Sequence, residues 1–142
     1  MNRTERHVAI VGAGLIGRAW AAIFARAGWN VRLTDPHSPT LQAARRLIHE
    51  ELQALARHGL ADDPDGAVAL VSVAANLEEA VKGVEFVQEN GPEKVEEKRV
   101  IFALLDRLAP ENALLVSSTS AITASKIISI LSRTASRISS ST

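Results

Sequence analysis

Residues 8–17 read Val8-Ala9-Ile10-Val11-Gly12-Ala13-Gly14-Leu15-Ile16-Gly17, and this stretch decides the fold. Four apolar residues with no polar alternation are expected of a central strand covered on both faces. The next six meet the spacing G-x-G-x-x-G, which alone is a weak signal in a chain rich in glycine and alanine. Context strengthens it. From Leu15 to Ala27 the apolar period is helical, and Gly28 is suited to ending that helix. Asn30 to Thr34 then reads as a second strand that closes at Asp35, about 20 residues beyond the glycines, where dinucleotide-binding βαβ units carry an acid.

Each part of the motif has a physical task. Gly12 allows the tight turn, Gly14 lets the backbone approach a pyrophosphate, and Gly17 lets the helix pack on the strand. Backbone N–H groups from Gly14 through Leu15 and Ile16 would face the phosphates at the positive end of the helix. Asp35 can accept hydrogen bonds from both adenosine ribose hydroxyls. Its charge repels a 2′-phosphate, so the expected cofactor is NAD rather than NADP. Arg32 does not reverse that expectation, because it precedes the acid. A doubly wound fold that binds no nucleotide could carry the same glycines, but the strand before them, the helix after them and Asp35 argue against it.

Outward from this unit, strands and helices continue to alternate, the mark of a parallel sheet. Ser38-Pro39 reads as an N-cap followed by proline at the first helical position, opening a long helix to His58. Leu41, Ala44, Ile48, Leu52 and Leu55 form its buried stripe, and Arg45, His49, Gln53 and Arg57 lie on another face. Residues 62–66 form a turn-rich break. A third strand is expected around Val71 to Val73, and Asn76 with Glu79 makes a capping box for a short helix ending near Gly83. Val84 to Gln88 reads as the fourth strand, Pro92 to Leu108 as a helix, Ala113 to Ser117 as the fifth strand, and Thr123 to Leu131 as a last helix. The expected fold is a Rossmann α/β domain, a doubly wound parallel sheet of five or six strands in the order 3-2-1-4-5 over residues 1–131, with a helical insertion between strands 2 and 3. Residues 132–142, mostly Ser and Arg, have no stripe to bury and are expected to be a disordered tail.

Composition narrows the function. A chain of 142 residues with 46% apolar residues fits one domain with one core. Sixteen basic and sixteen acidic residues cancel without a basic block, which argues against nucleic acid and anionic membranes as partners. With no cysteine there is no disulfide, thiolate or Cys-based zinc chemistry. No stretch approaches the ~20 apolar residues of a membrane span, and glycines and arginines interrupt the one candidate leader, so the cytoplasm is expected. His37 and His49 have no second histidine or carboxylate at a dyad or metal spacing, so no metal is expected. Trp20 and Trp29 read as packing residues, and Arg45, Arg46 and Arg57 as a solvated face.

Three separated segments, VAIVGAGLIGRAWAAIFARAGWNVRLTDP, FVQENGPEKVEEKRVIFALLDRLAP and LLVSSTSAI, resemble the NAD-binding domain of the L-3-hydroxyacyl-CoA dehydrogenase family. Within the family, the GLIG core and the VQE segment look closest to the lambda-crystallin and L-gulonate 3-dehydrogenase branch. The resemblance implies hydride transfer between a secondary alcohol, such as a 3-hydroxyacyl-CoA or a related hydroxy acid, and NAD. It implies that Glu93 contacts the nicotinamide-side ribose and that Lys98 assists it. Taken without the resemblance, Glu93 is an acid favoured by a helix N-terminus and Lys98 a solvated charge. Ser118 stands where many members have Asn, at a nicotinamide contact, and Ser120 matches the serine that hydrogen-bonds the substrate.

The family's base is a histidine in an H-x-x-N-P segment beyond that serine, held by a glutamate. Here the last histidine is His58 and the last acid Glu111. The expectation is a cofactor half without the family's helical C-terminal domain, inactive alone. Uncovered Ile127, Ile128, Ile130 and Leu131 would favour a homodimer. A non-catalytic, crystallin-like NAD-binding protein is the alternative.

Overall fold

A computed structural model describes residues 5–90, 95–117 and 138–140 of the chain. Strand β1 (His7–Val11) leads into helix α1 (Leu15–Arg26), and β2 (Asn30–Thr34) into the long α2 (Ser38–Arg57). A short α3 (Pro64–Val68) precedes β3 (Val71–Val73), and α4 (Leu77–Val81) precedes β4 (Phe86–Glu89). Helix α5 (Val95–Leu108), β5 (Leu114–Ser117) and β6 (Ile138–Ser140) follow. All pairings are parallel, in the order β3-β2-β1-β4-β5-β6. This is the doubly wound Rossmann topology expected from the sequence, with one further edge strand.

The unbroken apolar run of β1 is explained by its two faces. Side chains alternate along a strand, so Val8 and Ile10 join one core with Val31, Leu33 and the stripe Ala44, Ile48 and Leu52 of α2. Ala9 and Val11 join the other with Val87, Leu115, Phe102 and Leu105. Helix α1 buries only Gly17, Ala21, Ala22 and Ala25, small residues that let its axis lie close to the sheet. At the N-terminal end of the strands, Phe24 meets Trp29 edge-on at 5.2 Å and Phe86 at 5.3 Å, and Trp20 lies 6.2 Å from Phe24. Both tryptophans pack against the core, as expected.

Several local expectations change. Helix α2 starts at Ser38 with His37 as its N-cap, rather than after a Ser38 cap. The His37 amide is held by Asp35 at 2.8 Å and its ring by Thr40 at 2.7 Å, which brings the turn one residue forward. The break at 62–66 contains α3, because Asp63 accepts from the Gly66 amide and Pro64 pre-sets the first turn. In α4, Asn76 caps the Glu79 amide at 2.9 Å, but Glu79 reaches back to the Ala75 amide, one residue before the cap. Strand β4 runs Phe86–Glu89 instead of Val84–Gln88, since its register follows β1: Val8 pairs with Phe86 and Val11 with Glu89.

The surface reading of α2 is also revised. Arg45 donates from Nε to the Val71 carbonyl at 3.0 Å and from Nη2 to the Val68 carbonyl at 3.1 Å, tying α2 to the entry of β3. His49 meets Asp65 of α3 at 2.7 Å, a carboxylate that sequence spacing did not reveal. Arg46 does lie on a solvated face, paired with Glu50 at 2.9 Å. The disordered tail expected from 132 onward does not hold at Ile138–Ser140, which pair with β5. An edge strand is held by backbone hydrogen bonds to its neighbour and needs no apolar stripe. The expected helix over Thr123 to Leu131, with Ile127, Ile128, Ile130 and Leu131, lies outside the described residues, as do 132–137 and 141–142.

Candidate dinucleotide site

The three glycines of the turn are glycine for three different reasons. Gly12 has φ of 102°, left-handed backbone that a side chain disfavours, and its amide donates to the Thr34 carbonyl at 2.9 Å. Gly17 is buried under the turn, and a Cβ there would collide with the Gly12 carbonyl. Gly14 has an extended backbone, φ −75° and ψ −164°, that any residue adopts. A Cβ there would meet no protein atom within 4 Å. Neither a positive φ nor packing requires glycine at that position, and the open space before it allows a ligand to approach closely.

Helix α1 supports the same reading. Its N-cap is Gly14, with no side chain capping the first turn and no acid in it. The first amides of a helix lack partners within the helix and carry partial positive charge. Leu15 and Ile16, 74% and 57% exposed, leave that end open, so the amides can take an anionic group such as a pyrophosphate. Asp35 stands beside it at the end of β2, half-buried, with one oxygen on the Ala13 amide at 2.7 Å and the other on the His37 amide. A carboxylate oxygen has two lone pairs, so each keeps one for a ribose hydroxyl. Beyond Asp35 a cleft of about 330 Å³ runs between the ends of β1 and β2 and the start of α4, lined by Val11, Thr34, Pro36, Asn76, Leu77 and Ile101. Its apolar walls suit a flat base, and the residues present thus fit a dinucleotide. Arg32 is engaged elsewhere, donating to the Glu79 carbonyl at 2.9 Å.

A larger recess, about 470 Å³, opens at the opposite end of the sheet against Glu5, Arg6, Gly28, Trp29 and Leu70. Among the described residues no helix N-terminus lines it, and size alone does not locate the chemistry. Gly12, Gly14, Leu15, Ile16, Gly17 and Asp35 are brought together at the C-terminal ends of β1 and β2. Glu93, Ser118 and Ser120 lie outside the described residues, and Lys98 is described only as part of the backbone of α5.

Sequence reasoning used Gln88 and Glu89 only within the VQE resemblance and gave them no role; they are 1% and 0% exposed, at the end of β4 where Val11 pairs with Glu89. A polar pair ending an apolar strand was the available signal. Asn90 follows, its amide donating to the Val11 carbonyl at 2.8 Å, and it sits at the switch point between β1 and β4. Among the described residues no cluster of three or more His, Cys, Asp or Glu could hold a metal. No helix among them is long and apolar enough to cross a membrane.

Comparison with known proteins agrees with this geometry. Residues 7–139 match the family 3-hydroxyacyl-CoA dehydrogenase, NAD binding domain. The lambda-crystallin homolog of Rattus norvegicus is 40% identical over 123 residues, covering 84% of this chain and 39% of that protein. The L-carnitine dehydrogenase of Streptomyces griseus is 42% identical over 115 residues, covering 81% and 34%. The solved (S)-3-hydroxybutyryl-CoA dehydrogenase from Ralstonia eutropha superposes with a TM-score of 0.86 at 27% identity, covering 96% of this chain and 48% of that one. The chain thus spans about two fifths of the length of the curated relatives it matches.

Proposed function

This chain belongs to the 3-hydroxyacyl-CoA dehydrogenase family through its NAD-binding domain, and we propose that it supplies the cofactor half of an oxidoreductase acting on a secondary alcohol. The observation that carries the proposal is Gly14, a glycine that the fold itself does not require, set between an uncapped helix end and Asp35. Bound NAD supplies the hydride acceptor. The chain's own residues hold it, with the turn amides on the pyrophosphate and Asp35 on the adenosine ribose. By resemblance, Glu93 and Lys98 serve the nicotinamide-side ribose, Ser118 the nicotinamide and Ser120 the substrate. The substrate class is a 3-hydroxyacyl-CoA or a smaller hydroxy acid. The L-carnitine dehydrogenase relative favours the smaller one.

Within residues 1–142 no histidine or acid follows Glu111. A second reading is a non-catalytic, crystallin-like NAD-binding protein, favoured only by the name of the lambda-crystallin homologues. A cytoplasmic homodimer belongs to the same proposal, supported by the absence of cysteine and the apolar residues at Ile127 to Leu131.

Calorimetry with NAD and NADP tests the cofactor reading. NAD should bind at least about tenfold more tightly, because Asp35 faces the place of a 2′-phosphate, and equal or tighter NADP binding overturns it. NADH fluorescence with 3-hydroxybutyryl-CoA, gulonate or carnitine should show no turnover by this chain alone.

A further inference from the structure

The glycine turn is held shut by side chains as well as by its own backbone. Ala13, between the first two glycines, is fully buried, so its amide needs a hydrogen-bond acceptor inside the protein. That acceptor is the Asp35 carboxylate, 22 positions away in sequence, at 2.7 Å. The Ala13 carbonyl accepts from Arg18 Nη1 at 3.1 Å. The other Asp35 oxygen takes the His37 amide at 2.8 Å, fixing the acid against the start of α2. Asp35 therefore bridges the turn after β1 and the turn after β2 before any ligand arrives.

We infer that Asp35 is a positioning residue for the phosphate-binding turn, in addition to reading the adenosine ribose. The inference rests on the NAD reading of the site. Its physical content is that the carboxylate holds Ala13, and with it the amides of Gly14 and Leu15, in the geometry that meets the pyrophosphate. Substituting Asp35 leaves a buried N–H without its acceptor, so affinity falls even for a ligand with nothing to offer the acid. Asp35→Asn is the informative change. It keeps the volume, but it has one oxygen for two backbone donors and turns an NH2 toward the other.

The test compares wild type and D35N with two ligands, NAD and the NAD analogue whose adenosine ribose is 2′,3′-dideoxy. An acid that reads only the hydroxyls would leave the analogue's affinity the same in both proteins. The expected result is that D35N binds the analogue about tenfold more weakly, the loss of one charge-assisted hydrogen bond. Equal affinity within about twofold, on the same scale, overturns the inference.

If wild type binds neither ligand, the cofactor reading has failed, and the clip is still measured in the ligand-free protein by amide hydrogen exchange. D35N should speed exchange at Ala13 relative to the core amide of Ile10, and unchanged relative exchange overturns the inference. If D35N does not fold, wild type alone decides, because an Ala13 amide that exchanges as freely as an exposed loop amide shows that no clip exists.

Discussion

The two ends of the sheet are built from the same strands and do opposite work. At the N-terminal end, Trp20, Phe24, Trp29 and Phe86 close over one another, with Arg6 lying 5.6 Å from the Trp29 ring. At the C-terminal end the chain turns through Gly12 to Gly17, and the first turn of α1 stays uncapped. Parallel strands deliver every βα turn to the same end, so helix N-termini and their partial charges collect there. The aromatic end contributes stability, and the end with the glycine turn leaves donors unmatched until a ligand meets them.

The division predicts that stability and binding respond separately. Phe24→Ala should lower the unfolding free energy by about 3 kcal/mol, since it empties the centre of the aromatic cluster. Its NAD affinity, measured by calorimetry below the unfolding transition, should stay close to wild type, and a large fall in affinity would break the comparison.

Gly17→Ala joins the two properties. Its methyl group would push the Gly12 carbonyl and with it the turn, costing about 2 kcal/mol by overpacking. Thermal unfolding and calorimetry should move together, with NAD binding nearly lost.

Gly14→Ala sharpens the contrast most with the smallest change in stability. The backbone there suits alanine and the space before it is open, so the ligand-free protein should stay within about 1 kcal/mol of wild type. NAD affinity should nonetheless fall by about tenfold or more, the methyl group standing where a phosphate would approach. An unchanged affinity would mean that the pyrophosphate does not lie against Gly14.

Much of this was legible in the chain itself, and the reason is local. An apolar run, three glycines at fixed spacing and an acid at the end of the next strand each specify backbone geometry or chemistry within a few residues, so β1, the turn, α1, β2 and Asp35 could be read in order. The strand order followed from the dinucleotide-binding topology that the βα alternation, Gly12 and Asp35 imply. Helix α3 was missed because Asp63-Pro64 serves a turn and a helix start equally well, and only the docking of this segment on α2 selects the helix.

What tertiary structure alone decided are the relations between residues distant in sequence. The bond from Ala13 to Asp35, the anchoring of Arg45 on β3, the pairing of His49 with Asp65 and the burial of Glu89 beside Val11 all depend on which turns and faces the sheet brings together. Periodicity assigns a residue to a face, but the partner on that face is set by the register and crossing of elements many residues away. For that reason the sequence could name Asp35 as a candidate cofactor contact, and only the fold could show its hydrogen bond to the Ala13 amide.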